Sequence, residues 1–138
     1  MVPELVVTDL AASLRFWCGP CGFRVAYERP EDGFAYLDRA GPQVMLEQAS
    51  VPGRRRWVAG ALERPFGRGL NLQVTVDEMG PVLAALEGAG WPLFVPTEEI
   101  WYRAGDREVG VRQFVIQDPD GYLVRFSQRL GLREARPR

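Results

Sequence analysis

The chain has 138 residues, 17 Lys+Arg against 18 Asp+Glu for a net charge of −1, 46% hydrophobic residues and 25% charged ones. That is the length and composition of one ordinary globular domain, which excludes a disordered or fibrous chain. Histidine is absent and all 17 basic residues are arginine. Imidazole as metal ligand or general base, Schiff-base lysine and Walker-type lysine are therefore excluded.

The near-neutral balance argues against a nucleic-acid partner. No apolar run approaches the ~18 residues of a membrane span. Met1–Leu5 lacks the features of a signal peptide, so the expected compartment is the cytoplasm, with no membrane partner.

In chain order, Glu4–Val7 is a short β-type run, and Asp9 is a plausible N-cap for a helix over Asp9–Trp17. Leu10, Leu14 and Trp17 recur there at helical spacing, and Pro20 and Gly22 stop it. Strand-like runs follow at Phe23–Arg29, Phe34–Asp38 and Gln43–Gln48, separated by turn formers. The crossover 50–68 is rich in Gly and Arg; its Gly53–Arg68 stretch has five Arg and one Glu, locally +4.

The second half repeats the order. Leu70–Val76 alternates apolar and polar, Asp77 is placed to cap a helix carrying Val82, Leu83 and Leu86, and Gly88 and Gly90 end it. Strands are predicted at Pro92–Thr97 or a little beyond, Val109–Gln117 and Tyr122–Gln128, the last two joined by the turn Asp118-Pro119-Asp120-Gly121. Asp77 follows Asp9 by 68 residues, so the plan is a duplicated half-domain, not a solenoid. The expected domain is 1–130, with modules at about 1–49 and 69–130 and a flexible tail over 131–138.

Alternation assigns faces. Asn71, Gln73 and Thr75 oppose Leu70, Leu72, Val74 and Val76; Arg125 and Ser127 oppose Val124 and Phe126; Met45 and Glu47 alternate with Val44 and Leu46. Either a solvated sheet surface or a pocket lining accounts for the polar faces. The aromatic supply (Trp57, Phe66, Trp91, Trp101, Tyr102, Phe114) suits a small-molecule pocket with a few polar anchors, although each ring also suits core or interface.

Trp17-Cys18-Gly19-Pro20-Cys21 matches the thioredoxin active-site motif letter for letter. A dithiol site needs the motif to open a helix, where the dipole stabilises a thiolate. Here the helical period precedes the cysteines, so dithiol redox chemistry is the minor alternative, and the spacing makes a structural disulfide framework unsuited.

Thr8-Asp9-Leu10-Ala11-Ala12-Ser13-Leu14-Arg15-Phe16-Trp17 with Gly22-Phe23, and Phe114-Val115-Ile116-Gln117-Asp118-Pro119-Asp120-Gly121-Tyr122, resemble the first helix and closing hairpin of the vicinal oxygen chelate superfamily. That group includes glyoxalase I, extradiol dioxygenases, and fosfomycin- and bleomycin-resistance proteins. The resemblance covers residues 2–128 and implies an α+β fold of paired βαβββ modules forming a curled mixed sheet around a cavity, commonly in a homodimer. It places the superfamily's metal positions near Val2, Glu47, Asn71 and Arg125. Only Glu47 is a good ligand and an arginine repels a divalent ion, so no metal and no cofactor are expected.

Val44–Gln48, the Trp57 region with Pro65–Gly69, Trp101-Tyr102-Arg103 and Arg112-Gln113-Phe114 resemble the bleomycin-resistance branch. The implied function is non-catalytic binding of an aromatic or cationic small molecule in a dimer cleft, with Glu47, Trp57, Asn71, Gln73, Trp101, Tyr102, Arg112, Phe114 and Arg125 as contacts. An enzyme of the same fold on another small substrate is the alternative, with Glu47, Tyr102 or Glu4 left to do acid–base work.

Overall fold

Asp9 starts the first helix as its side-chain chemistry dictates: in extended backbone, its Oδ1 accepts from Ala11 N at 3.0 Å and Ala12 N at 3.3 Å. The computed structural model, which describes residues 1–53 and 57–137, places the helix, α1, at Leu10–Cys18. Its buried stripe is Ser13, Phe16 and Trp17, whereas Leu10 and Leu14 are only half-buried. Ser13 is fully buried, and Trp17 lies edge-on to both Phe16 and Phe23.

The first four strands are β1 Glu4–Val7, β2 Arg24–Arg29, β3 Phe34–Asp38 and β4 Gln43–Gln48. They form a sheet ordered β1-β4-β3-β2, with β1 parallel to β4 and the rest antiparallel. The second half has β5 Asn71–Thr75, α2 Gly80–Gly88, β6 Val95–Ala104, β7 Arg107–Gln117 and β8 Leu123–Glu134, in the same permutation β5-β8-β7-β6. The fold is α+β: two four-stranded mixed sheets built from a repeated βαβββ unit. Among the described residues no helix is long and apolar enough to cross a membrane.

Three local expectations are corrected. Asp77 does not cap α2. Pro81 at the helix start fixes the first turn at Gly80, the N-cap is Met79, and its N–H is satisfied by Gln128 Oε1 at 3.0 Å. β6 runs to Ala104, seven residues past the predicted Thr97, because pairing with Arg107–Val115 of β7 outweighs the weak strand preference of Glu98 and Glu99. The region read as a tail from Gly131 pairs with Arg107–Gly110 as far as Glu134. Arg54, Arg55 and Arg56 of the basic crossover and the terminal Arg138 lie outside the described residues.

Two compact units result: residues 1–69 with the turn Asp118–Tyr122, and residues 70–117 with 123–138. Within the first, Leu5, Val7, Ala35, Leu37, Val44 and Leu46 lie on the buried sheet face. Asp120 is the polar centre of that unit. Its carboxylate accepts from Thr8 N at 3.0 Å, Thr8 Oγ1 at 2.7 Å and Arg64 Nη2 at 3.0 Å, while its carbonyl accepts from Phe66 N at 2.8 Å. Asp120→Ala removes the buried acceptor of Thr8 N, Thr8 Oγ1 and Arg64 Nη2 and leaves the backbone bond to Phe66 in place, so unfolding should be easier by about 1–3 kcal/mol. Urea denaturation measures this directly; a change below about 0.5 kcal/mol contradicts a structural role for the carboxylate.

Candidate functional site

A cleft of ≈ 280 Å³ opens in the first unit. Its walls are Glu4 and Val6 of β1, the crossover from Trp57 to Leu62, Gly67 and Tyr122. Trp57 is 63% exposed, an unusual position for an indole. Three tethers hold the far wall. Tyr122 Oη donates to Val6 O at 2.9 Å, Arg64 is paired to Asp120, and Phe66 packs edge-on against Tyr122. The described residues of the crossover are largely exposed, apart from the buried Phe66 that anchors it. The cleft therefore offers one carboxylate, one exposed indole, a half-polar phenol and aliphatic surface, the composition of a small-molecule site.

The other face of the first sheet carries a second feature. Glu47, 4% exposed, pairs in register with Val6 and Phe34. Phe34 is covered by the Arg29 guanidinium at 4.0 Å, and Tyr27 stacks on Tyr36 at 4.9 Å. Sequence reasoning singled out Glu47 and missed Tyr27, Tyr36 and Phe34; the alternation of β3 against β4 was the available signal.

The second unit separates the remaining candidates by face. Asn71, Gln73 and Arg125 share one face, since Gln73 pairs directly with Arg125, and Arg125 Nε is buried without a hydrogen-bond partner. Tyr102, 42% exposed, lies on that face too, its hydroxyl accepting from Gln113 Nε2 at 2.8 Å. Arg112, Phe114 and Trp101 point the other way by strand parity. Phe114 is fully buried and stacks on Phe126 at 5.4 Å, which makes it a core residue with no surface to offer a ligand. Arg112 pairs with Glu99 at 2.6 Å. Trp101 is packed over Gly110, where a Cβ would lie 2.7 Å from the ring, and the Arg133 guanidinium sits 4.1 Å from its centroid. Trp101 is half-buried, with Gly110 and the Arg133 guanidinium against its ring.

The superfamily metal positions were tested on their donor chemistry. Val2 precedes β1 and offers no donor, Asn71 is exposed and pairs with Leu123, and Arg125 brings a cation. Glu47 is the one carboxylate of the four. This set does not fit a divalent cation. Among the described residues no three His, Cys, Asp or Glu side chains gather at one point.

The cysteine motif closes α1 rather than opening a helix. Burial pushes the thiol of Cys18 up, and burial with the Asp118 charge pushes Cys21 up far more. Both shifts oppose the thiolate that dithiol exchange requires.

The turn that delivers Tyr122 holds a buried carboxyl, that of Asp118. Burial, with a further push from Asp120, raises Asp118 to about 6, although its Oδ1 accepts from Asp120 N at 3.0 Å and Tyr122 N at 2.9 Å. Trp17 Nε1 favours the ionised form from nearby, while Oδ2 is buried without a hydrogen-bond partner. Burial likewise raises Tyr122, to about 12. The folded state holds the Asp118 proton more tightly than the unfolded chain does. Its stabilising contribution is therefore complete below about pH 4 and is lost as pH rises through about 6. Asp118→Asn should flatten the stability profile between those limits, against a wild-type fall of up to roughly 3 kcal/mol from this group. Thermal melts across pH 4–7 compare the two; parallel profiles contradict the assignment.

Residues 2–126 match the family model described as the Glyoxalase/Bleomycin resistance protein/Dioxygenase superfamily. Bleomycin resistance proteins of Geobacillus stearothermophilus and Staphylococcus aureus are each 25% identical over 137 residues, covering 94% of this chain and 96% of theirs. Among solved structures, TioX from Micromonospora sp. ML1 superposes with a TM-score of 0.70 at 23% identity, covering 94% of this chain and 98% of that one. The integron cassette protein VCH_CASS1 of V. cholerae gives 0.68 at 18% identity, over 92% and 91%.

Proposed function

The chain belongs to the glyoxalase/bleomycin resistance protein/dioxygenase superfamily, and from that premise we propose that it is a metal-independent binding protein of the bleomycin-resistance type. Its ligand is an aromatic or cationic small molecule, a bleomycin-family antibiotic being the first candidate, and it works as a cytoplasmic homodimer. One observation carries the reading: the exposed Trp57 indole shares a ≈ 280 Å³ cleft with the Glu4 carboxylate. An indole supplies a stacking face for a planar ring, and a carboxylate beside it attracts a positive charge. The similarity to bleomycin resistance proteins supports the ligand class, and the unfit donor set at Val2, Asn71 and Arg125 supports metal independence.

Isothermal calorimetry with metal-free and Cu-loaded bleomycin tests the proposal. Saturable heat at micromolar ligand is expected with both forms. Trp57→Ala should weaken binding roughly 2- to 12-fold, the worth of one well-placed aromatic contact. Glu4→Gln should weaken it at low salt and by less at high salt. Silence up to high micromolar drug, in either form, would sink the bleomycin assignment. Light scattering at the same concentrations checks the dimer; a mass near the 15.5 kDa of one chain contradicts it.

A further inference from the structure

A different arrangement on the second sheet points to a ligand group of its own. Gln113, 6% exposed, spends its side-chain amide nitrogen on two acceptors: Glu98 Oε1 at 2.8 Å and Tyr102 Oη at 2.8 Å. A carboxylate only accepts, so the amide nitrogen must face Glu98, and this fixes the orientation of the whole Gln113 side chain. Tyr102 receives a hydrogen bond from Gln113 and so keeps its own proton free to donate. Glu98 keeps a second oxygen free to accept. Both residues are exposed, and both sit on the strand face that carries Arg125. Arg125 lies diagonally across from Gln113, Gln113 being opposite Ser127 and Arg125 opposite Val115, which separates the two by about 7–8 Å. Its Nε is buried and without a hydrogen-bond partner.

We propose that Glu98 and Tyr102 form a hydrogen-bonding subsite for a neutral amide, with Gln113 as the positioning residue beneath them. Glu98 offers an acceptor and Tyr102 a donor, so the group that matches both is neutral and carries a donor beside an acceptor. A carboxylate is repelled by Glu98, and a simple ammonium engages only one of the two. An amide gives its N–H to Glu98 and its carbonyl to Tyr102, and a further carbonyl on the same compound can reach Arg125. The ligand class is therefore a peptide-like compound with at least one unblocked amide. This goes beyond the Trp57 cleft in residues and in ligand chemistry, and its failure would leave that cleft's function standing.

The test is a ¹⁵N–¹H titration of the full chain followed at the Gln113 side-chain amide, assigned by its disappearance in Gln113→Leu. The probe is N-acetylglycinamide, with acetate and methylammonium as controls at equal ionic strength. Saturable shifts of the Gln113 signals are expected with the diamide at millimolar to tens of millimolar concentration, and none that saturate with either ion. Tyr102→Phe and Glu98→Gln should each weaken the diamide at least threefold with the rest of the spectrum unchanged. In Gln113→Leu, followed at the backbone amides of Glu98 and Tyr102, the preference for the diamide over acetate should fall away although both contact residues remain. Absence of diamide binding, equal response to acetate, or wild-type affinity in both contact variants would each overturn the proposal.

Discussion

A single carboxylate, that of Asp120, is the constraint on which the first unit depends. It is buried, and a buried charge is tolerable only when its oxygens are fully engaged. Thr8 and Arg64 engage them from chain positions 112 and 56 residues away. The end of β1, the crossover and the 118–122 turn are therefore held by one group, and the cleft inherits its shape from that hub. Tyr122 and Gly67 line it because the turn and the crossover are fixed there, and Glu4 and Val6 because β1 is. The neighbouring Asp118 is the energetic counterweight. It serves two backbone N–H groups of the same turn while its other oxygen is buried without a partner.

Much of the fold was legible because its causes are local. Asp9 followed by a helical apolar period is a complete instruction for a helix start, and it is obeyed. Asp77 looked like the same instruction and is not, because Pro81 moved the helix start and the orphan N–H of Met79 found Gln128 from another strand. β6 was cut short for a related reason: Glu98 and Glu99 carry little strand preference, and the pairing that overrides it comes from β7. Local composition has no access to either partner.

The candidate site was legible in part, and the missing part has one physical origin. Residue type names a side chain's chemistry but not the side of the sheet it faces. Trp101 and Tyr102 are adjacent, and strand geometry sends them to opposite faces: one beside Gly110 and the Arg133 guanidinium, the other onto a polar face with Gln113. Phe114 went astray in the same way, since its parity with Ile116 and its register with Phe126 place it in the core. Gln113, one residue earlier, falls on the polar face and organises Glu98 and Tyr102. Register, which only the assembled sheet supplies, decides between these neighbours.

The four tryptophans occupy four different settings. Trp17 is sealed in the first core, Trp57 stands in solvent, Trp91 is tied through Nε1 to Gln117 O at 2.9 Å, and Trp101 lies beneath a guanidinium. Indole emission moves to the red with hydration; the first unit holds one sealed and one exposed ring, and the second holds two half-buried ones. The chain thus carries an intrinsic optical reporter in each half. Single-tryptophan versions that keep Trp17 or Trp101 would show whether the two halves lose their structure together or one after the other, with no dye attached.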